Sequence, residues 1–160
     1  MRSLKLLSTT WPSVVLAALA LTPSLGSVAV AAEQGEVELE ASWQGKVQQE
    51  GLHRHAPKAG FVAGQRGFET LWKAWRPDEP VPAVDFNKFI VLVGTVPGPN
   101  QVAMRPRLDE EGNLTFTVAG TKIGGPGFGY AMQQVSRKGV KSVNVKPLKT
   151  KNGSERKEKD

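Results

Sequence analysis

The stretch "DFNKFIVLVGTVPGPN", from Asp85 to Asn100, decides the fold of this chain. Its centre, Phe89 to Val96, is almost continuously apolar and rich in β-branched residues, with a proline- and glycine-rich turn after it. A short apolar run between turn signals is typical of a strand that is buried on both faces. We therefore expect the central β-strand of a sheet here.

Upstream of this strand, "GFETLWKAW" has helical periodicity. Its large apolar side chains recur at i, i+3, i+4 and i+7, which places them on one face of an α-helix; they are Phe68, Leu71, Trp72 and Trp75. Glu69 falls in the first turn of a helix that begins at Gly67, and Pro77 ends it. An isolated helix of this length is marginal in water, where about 12 to 15 residues are needed. We predict that Trp72 and Trp75 pack against a sheet, and we favour this core role over an aromatic platform for sugar or base stacking.

Several shorter segments also have strand character. "EVELEASWQGK", from Glu36 to Lys46, alternates apolar and polar residues, as a half-buried strand does. Val102 to Leu108 contains Pro106, which places this strand at an edge or a bulge of the sheet, and forms a hairpin with "LTFTVAG".

A second hairpin is predicted near the end of the chain. Its turn centres on Arg137 to Gly139, between the strand that starts at Tyr130 and a closing strand with Val140, Val143 and Val145. Strands clustered after one helix, without βαβ alternation, indicate an α+β fold. We predict a mainly antiparallel sheet of about five to six strands with one short amphipathic helix packed on it.

The N-terminal segment resembles an export signal. Arg2 and Lys5 precede an apolar run of 8 residues, "VVLAALAL", and small residues follow up to Ala31 and Ala32. The run is short of the ~20 residues of a membrane-spanning helix. We predict a signal peptide over residues 1–32, cleaved after Ala31 or Ala32, in preference to a retained anchor. The protein is then periplasmic or extracellular, without stable membrane insertion.

The rest of the chain divides into a body and a tail. Residues 33–148 suffice for a single α+β domain, and residues 149–160 read as a disordered basic tail. The net charge of +6 is concentrated at the two ends, since residues 33–145 hold 13 basic and 12 acidic groups. A nearly neutral body does not indicate a nucleic-acid partner. Attachment of the tail to anionic envelope polymers remains a third hypothesis for function.

The glycine-rich stretch "GTKIGGPGFGY" does not match a phosphate-binding loop, because a strand-like segment rather than a helix follows it. We interpret it as a broad loop between strands and predict that Phe128, Gly129 and Tyr130 form a contact surface for a partner. Asp85, at the entrance to the central strand, is expected to bond nearby backbone amides in an Asx turn.

No set of catalytic residues stands out. The chain has no cysteine, and its two histidines, His53 and His55, have no third metal ligand nearby in the sequence. We therefore assign no catalytic, cofactor-binding or metal residue and expect no cofactor. The alternative hypothesis is a small exported hydrolase or metal-binding enzyme that uses these two histidines.

Three motifs, "FETLWKAW", "VDFNKFIVLV" and "GPGFGYAMQQV", resemble the C-terminal domain of PrcB, a protease-complex subunit known from exported bacterial lipoproteins. The similarity covers roughly residues 60 to 148 and rests on the pairs Leu71-Trp72, Asp85-Phe86 and Gly129-Tyr130. The chain departs from that family in its looser "GGPGFG" approach to the tyrosine and in lacking a lipid-attachment cysteine.

The resemblance implies a non-enzymatic domain that binds and stabilises an exported protease complex. Independently of the resemblance, we expect structural roles for Trp72, Trp75, Asp85 and Phe86. We thus expect an exported protein-binding domain, whose partner is an exported protein such as a protease.

Overall fold

The computed structural model describes Gly35 and residues 37–148. Over this range the chain has an α+β fold with one α-helix, one 3-10 helix and eight strands in two sheets. The pairing is mostly antiparallel, so the predicted fold class is confirmed, although the strands divide between two sheets rather than one. The predicted signal peptide and the predicted tail lie outside the described residues.

The elements follow one another in a simple order. The strands are β1 (Leu39–Val47), β2 (Phe61–Val62), β3 (Phe89–Pro97), β4 (Val102–Leu108), β5 (Asn113–Gly120), β6 (Phe128–Ser136), β7 (Ser142–Val143) and β8 (Lys146–Pro147). The helices are a 3-10 helix at Glu50–His55 and α1 at Gln65–Trp75.

The first sheet has the strand order β1-β6-β3-β2. β3 is an inner strand, and both of its faces are buried, as predicted. Val91 and Val93 belong to the core beneath α1, while Ile90 and Leu92 belong to the core between the two sheets. The first sheet is therefore a middle layer, with α1 on one face and the second sheet on the other.

The aromatic face of α1 is buried against the first sheet, which confirms the predicted core role of Trp72 and Trp75. Each indole N–H finds an acceptor: Trp75 Nε1 donates to the Leu52 carbonyl at 3.0 Å, and Trp72 Nε1 donates to the Glu79 carbonyl at 3.2 Å. The helix begins two residues earlier than predicted. Glu69 therefore lies in the second turn, beyond the strongest field of the helix dipole.

The second sheet has the order β4-β5-β7-β8. The predicted β4–β5 hairpin is confirmed, and β4 with Pro106 lies at the edge of the sheet. The predicted second hairpin is wrong, because β1 and β3 already occupy both sides of β6. The chain instead crosses to the second sheet, where β7 pairs with β5 in parallel and with β8 antiparallel.

The entrance to β3 is formed as predicted. Asp85 Oδ1 accepts the backbone N–H of Asn87 at 3.0 Å, which is the expected Asx turn. The Asp85 carbonyl accepts the N–H groups of Lys88 and Phe89, each at 2.9 Å. Phe86 packs at the rim of the helix-side core. This turn fixes the point at which the central strand begins.

Candidate binding surface

The predicted contact residues Phe128, Gly129 and Tyr130 do not form an exposed loop. They open β6, and the Phe128 and Tyr130 side chains are each only 2% exposed. Both rings point toward α1, where their centroids lie 5.2 Å and 4.9 Å from Trp75. The prediction of a contact surface at these residues is wrong, because alternation along a strand between β1 and β3 directs these rings into the core.

Tyr130 belongs to a polar clamp that joins α1 to the first sheet. Its hydroxyl accepts a hydrogen bond from Arg76 Nη1 at 3.0 Å, and the same nitrogen donates to the Gln44 carbonyl at 3.1 Å. Arg76 Nε and Nη2 both donate to Glu79 Oε2, at 2.9 and 2.7 Å. The Arg76 guanidinium also lies over the Trp72 ring at 4.9 Å. The clamp uses four of the five N–H groups of the Arg76 guanidinium and joins α1 to the first sheet.

The clamp depends on a glycine and on burial. A Cβ at Gly45, opposite Tyr130 in the β1–β6 ladder, would collide with the Tyr130 hydroxyl. Burial raises the pKa of this hydroxyl, and the nearby Arg76 charge opposes that rise. Tyr130 is therefore a neutral hydrogen-bonding group at neutral pH.

The two histidines do not come together. They lie in the 3-10 helix, where residues two apart point about 120° away from each other. His53 Nε2 is 2.9 Å from Thr95 Oγ1, and the His53 ring packs edge-on against Phe128 at 5.1 Å. Over residues 37–148, no group of three His, Asp or Glu side chains is arranged to hold a metal ion.

The exposed part of the glycine-rich stretch is residues 121–126, which we call the glycine-rich loop. Its backbone is held by the buried side chain of Asn100. Asn100 Nδ2 donates to the carbonyls of Pro97 (2.6 Å) and Ile123 (3.1 Å). Asn100 Oδ1 accepts from Thr121 Oγ1 and from the Ile123 N–H, both at 2.7 Å. Three of these hydrogen bonds hold the loop itself, two of them at the backbone of Ile123 and one at the Thr121 side chain.

Glycines at the base of this loop allow close backbone contact. Gly98 N donates to the Gly127 carbonyl at 2.8 Å, and both residues have positive φ, at +76° and +85°. Side chains are disfavoured in this left-handed region. Sequence analysis missed Asn100, although an asparagine directly after a Pro-Gly-Pro turn is a signal for such a structural amide.

The fixed loop presents an apolar side chain to solvent. Ile123, at its centre, is 52% exposed, and Val118 on the preceding strand is 37% exposed. An exposed apolar group on a rigid backbone loses little conformational entropy when a partner covers it. The arrangement suits binding of another macromolecule rather than of a small molecule in an enclosed pocket.

No protein-family model, curated protein or solved structure matches this chain. None of the helices within residues 37–148 combines the length and apolar character needed to cross a membrane.

Proposed function

We propose that this protein is an exported, non-enzymatic protein-binding domain that stabilises or modulates an envelope or secreted protease complex. The single observation that supports this proposal best is the glycine-rich loop, which Asn100 holds in one conformation with Ile123 exposed at its centre. The resemblance of three motifs to the PrcB C-terminal domain supports the kind of partner. The contact surface is thus assigned to the loop and not to Phe128 and Tyr130.

The energetic argument rests on Ile123. Complete burial of an isoleucine side chain stabilises by about 1.5 to 3 kcal/mol, so covering its exposed half contributes roughly 1 kcal/mol. A glutamate at this position instead places a charge in the contact and requires its desolvation. Because the Ile123 side chain is half-exposed and its backbone groups make the bonds that hold the loop, we expect Ile123→Glu to leave the fold intact.

The test is affinity capture from the envelope or secreted fraction of the producing cells, followed by quantitative mass spectrometry. We expect the Ile123→Glu variant to lose at least about tenfold of a captured partner, equivalent to 1.4 kcal/mol. Leu39→Glu is the matched control, since Leu39 is also apolar and 42% exposed but lies at the far end of β1 from the loop. Equal recovery with wild type, Ile123→Glu and Leu39→Glu would contradict the proposed surface.

A further inference from the structure

The second sheet leaves one side of β5 largely unpaired. β5 extends to Gly120, but β7 pairs with it only at Asn113 and Leu114. On this side the Leu114 carbonyl accepts the Asn144 N–H at 2.9 Å, and the Phe116 N–H is 3.4 Å from Asn144 Oδ1. Beyond this point the neighbouring position in the sheet is vacant, as far as the described chain extends.

Strand geometry determines which groups face the vacant position. The N–H and C=O of a residue in an antiparallel strand point to the same side, and the side alternates along the strand. Leu114 and Phe116 face away from β4, so Val118 also faces away from β4. No described residue forms a backbone hydrogen bond with the Val118 N–H. We call residues 116–120 the open edge of β5.

A similar gap lies directly beneath, in the first sheet. β2 pairs only with Val91 and Leu92 of β3, and the last hydrogen bond on that side joins Val93 N–H to the Gly60 carbonyl at 2.8 Å. The Val118 side chain lies over Gly94, where a Cβ would come within 2.9 Å of Val118 Cγ2. The open edge of β5 therefore has an apolar floor that β3 supports.

The segments that border this edge carry one sign of charge. Residues 56–63, 115–126 and 142–147 contain three lysines, Lys58, Lys122 and Lys146, and no aspartate or glutamate. Lys146 Nζ donates to the Lys58 carbonyl at 2.7 Å, which brings its charge to the end of the edge near Gly60. Lys122 lies in the glycine-rich loop at the opposite end. An acidic segment is the complementary partner.

We propose that the open edge of β5 is a β-augmentation site for an extended, acidic segment of a partner protein. This inference rests on the proposed binding function and specifies the chemistry of the partner. Main-chain hydrogen bonds to Val118 supply affinity, and the lysines at both ends select for acidic side chains. Every second side chain of the added strand faces the first sheet, where Val96 of β3 and the neighbouring Val118 of β5 offer apolar contact.

The charge pattern argues against the two occupants that the chain itself could supply. If a second copy paired antiparallel at this edge, Lys122 of one copy would face the Lys58 and Lys146 end of the other, and like charges that face each other across strands are destabilising. Residues 149–160 contain five basic and three acidic groups, so this segment also carries the same sign as the edge.

The test uses a short synthetic peptide of alternating glutamate and valine, with a lysine and valine peptide as its counterpart. Binding is measured by fluorescence anisotropy, and contacts are located by amide shifts in the ¹⁵N-labelled protein. We expect the acidic peptide to bind and to change the amide chemical shifts of Val118 and Gly120. Its binding should weaken with added salt. The basic peptide should bind at least about tenfold more weakly.

Two variants at Val118 separate the contribution of its backbone N–H to peptide binding from that of its side chain. Val118→Pro removes the N–H that faces the vacant position while sparing the bonds to β4, and proline is tolerated at such positions of edge strands. We expect Val118→Pro to lower the affinity for the acidic peptide at least about tenfold, whereas the affinity of Val118→Ala stays within about threefold of wild type. Circular dichroism and thermal melting check that both variants fold.

Two charge-reversal variants test whether the lysines at the edge select for an acidic peptide. Lys122→Glu should reduce binding of the acidic peptide several-fold, while Lys73→Glu, on the exposed side of α1, should leave it unchanged.

The inference is overturned if the acidic peptide does not bind, if Val118→Pro binds it as well as Val118→Ala does, or if both peptides bind equally. A concentration-dependent dimer that Val118→Pro abolishes would assign the edge to a second copy. Loss of a captured partner with Ile123→Glu supports the proposed function even when the peptide fails, so the two failures are distinguishable.

Discussion

At the scale of single residues, the turn between β7 and β8 stores local strain. Asn144 and Val145 form a two-residue loop with φ of +46° and +61°. Positive φ at both positions is the pattern of a type I′ turn, which asparagine tolerates and a β-branched residue does not. Asn144 also places its side-chain oxygen near the Phe116 N–H, whereas Val145 is 87% exposed. Val145 therefore bears backbone strain without compensating burial.

Replacing Val145 with glycine should stabilise the protein. The left-handed conformation costs a residue with a side chain about 1 to 2 kcal/mol, and the extra freedom of glycine in the unfolded chain returns part of this. We expect Val145→Gly to raise the free energy of unfolding by roughly 0.5 to 1 kcal/mol, measured by urea denaturation. Thr117→Gly, at an exposed strand position with ordinary φ, should lower it. A Val145→Gly variant no more stable than wild type would show that the turn is unstrained.

Residue chemistry also explains why Asp85 was predicted correctly and Gly129 was not. The Asx turn at Asp85 is local, and a short acidic side chain before a strand is enough to indicate it. The glycines up to Gly129 resembled a loop, yet Gly129 lies within β6. A Cβ there would collide with the Asn100 carbonyl, which approaches from the turn after β3. Glycine within a strand can indicate such a close approach, and the approaching group is far away in sequence.

At the scale of elements, the register between β1 and β6 depends on one small residue. Gly45 faces Tyr130 in this ladder and leaves room for the hydroxyl that Arg76 binds. Arg76, at the C-terminal end of α1, donates to the Tyr130 hydroxyl in β6 and to the Gln44 carbonyl in β1. A larger side chain at position 45 would therefore disturb the contacts among β1, β6 and α1.

We expect Gly45→Ala to lower the free energy of unfolding by about 1 to 3 kcal/mol, because the added methyl group overlaps the Tyr130 hydroxyl. Tyr130→Phe removes that hydroxyl, so Gly45→Ala should lower the free energy of unfolding by less in the Tyr130→Phe background than in wild type. A double-mutant cycle measured by denaturant unfolding gives the coupling. Gly124→Ala is the control, since it adds a methyl group in open space. Additive effects of the two changes would contradict the predicted collision.

The elements themselves were predictable where the signal is local. The apolar run of β3, the helical spacing in α1 and the turn of the β4–β5 hairpin each occur within one short segment. Strand pairing was less accessible, because β6 finds its neighbours in β1 and β3 rather than in the segment after it. The open edge of β5 follows from the shortness of β7, which pairs with β5 at only two residues.

At the scale of the whole molecule, Tyr130 links stability to alkaline pH. It is the only tyrosine in the chain, and burial raises its pKa above the ordinary value of 10.0, against the opposing effect of Arg76. The native state thus keeps its proton at a pH where the unfolded state has lost it. Stability from this group is complete below pH 10.0 and falls as pH rises toward the native pKa.

Tyrosinate absorbance reports this titration without overlap from a second tyrosine. We expect a native midpoint above that of the urea-unfolded chain, together with a fall in the free energy of unfolding above the unfolded midpoint. Tyr130→Phe should remove this part of the alkaline slope and leave stability at neutral pH lower by about 1 kcal/mol, the typical value of one hydrogen bond. A native midpoint equal to the unfolded one would show that the hydroxyl is solvated.

The pairing of β1 with β6 has a consequence for the time at which the protein folds. Leu39 pairs with Val135, so the first strand of the middle layer has no partner until nearly the whole described domain is available. Contacts between such distant parts of a chain slow folding, since the loop between them must close first. We therefore expect the first sheet to stay incomplete in the nascent chain until β6 has been synthesised. For a protein that we propose to be exported, late folding would help to keep the chain unfolded, as translocation across a membrane requires.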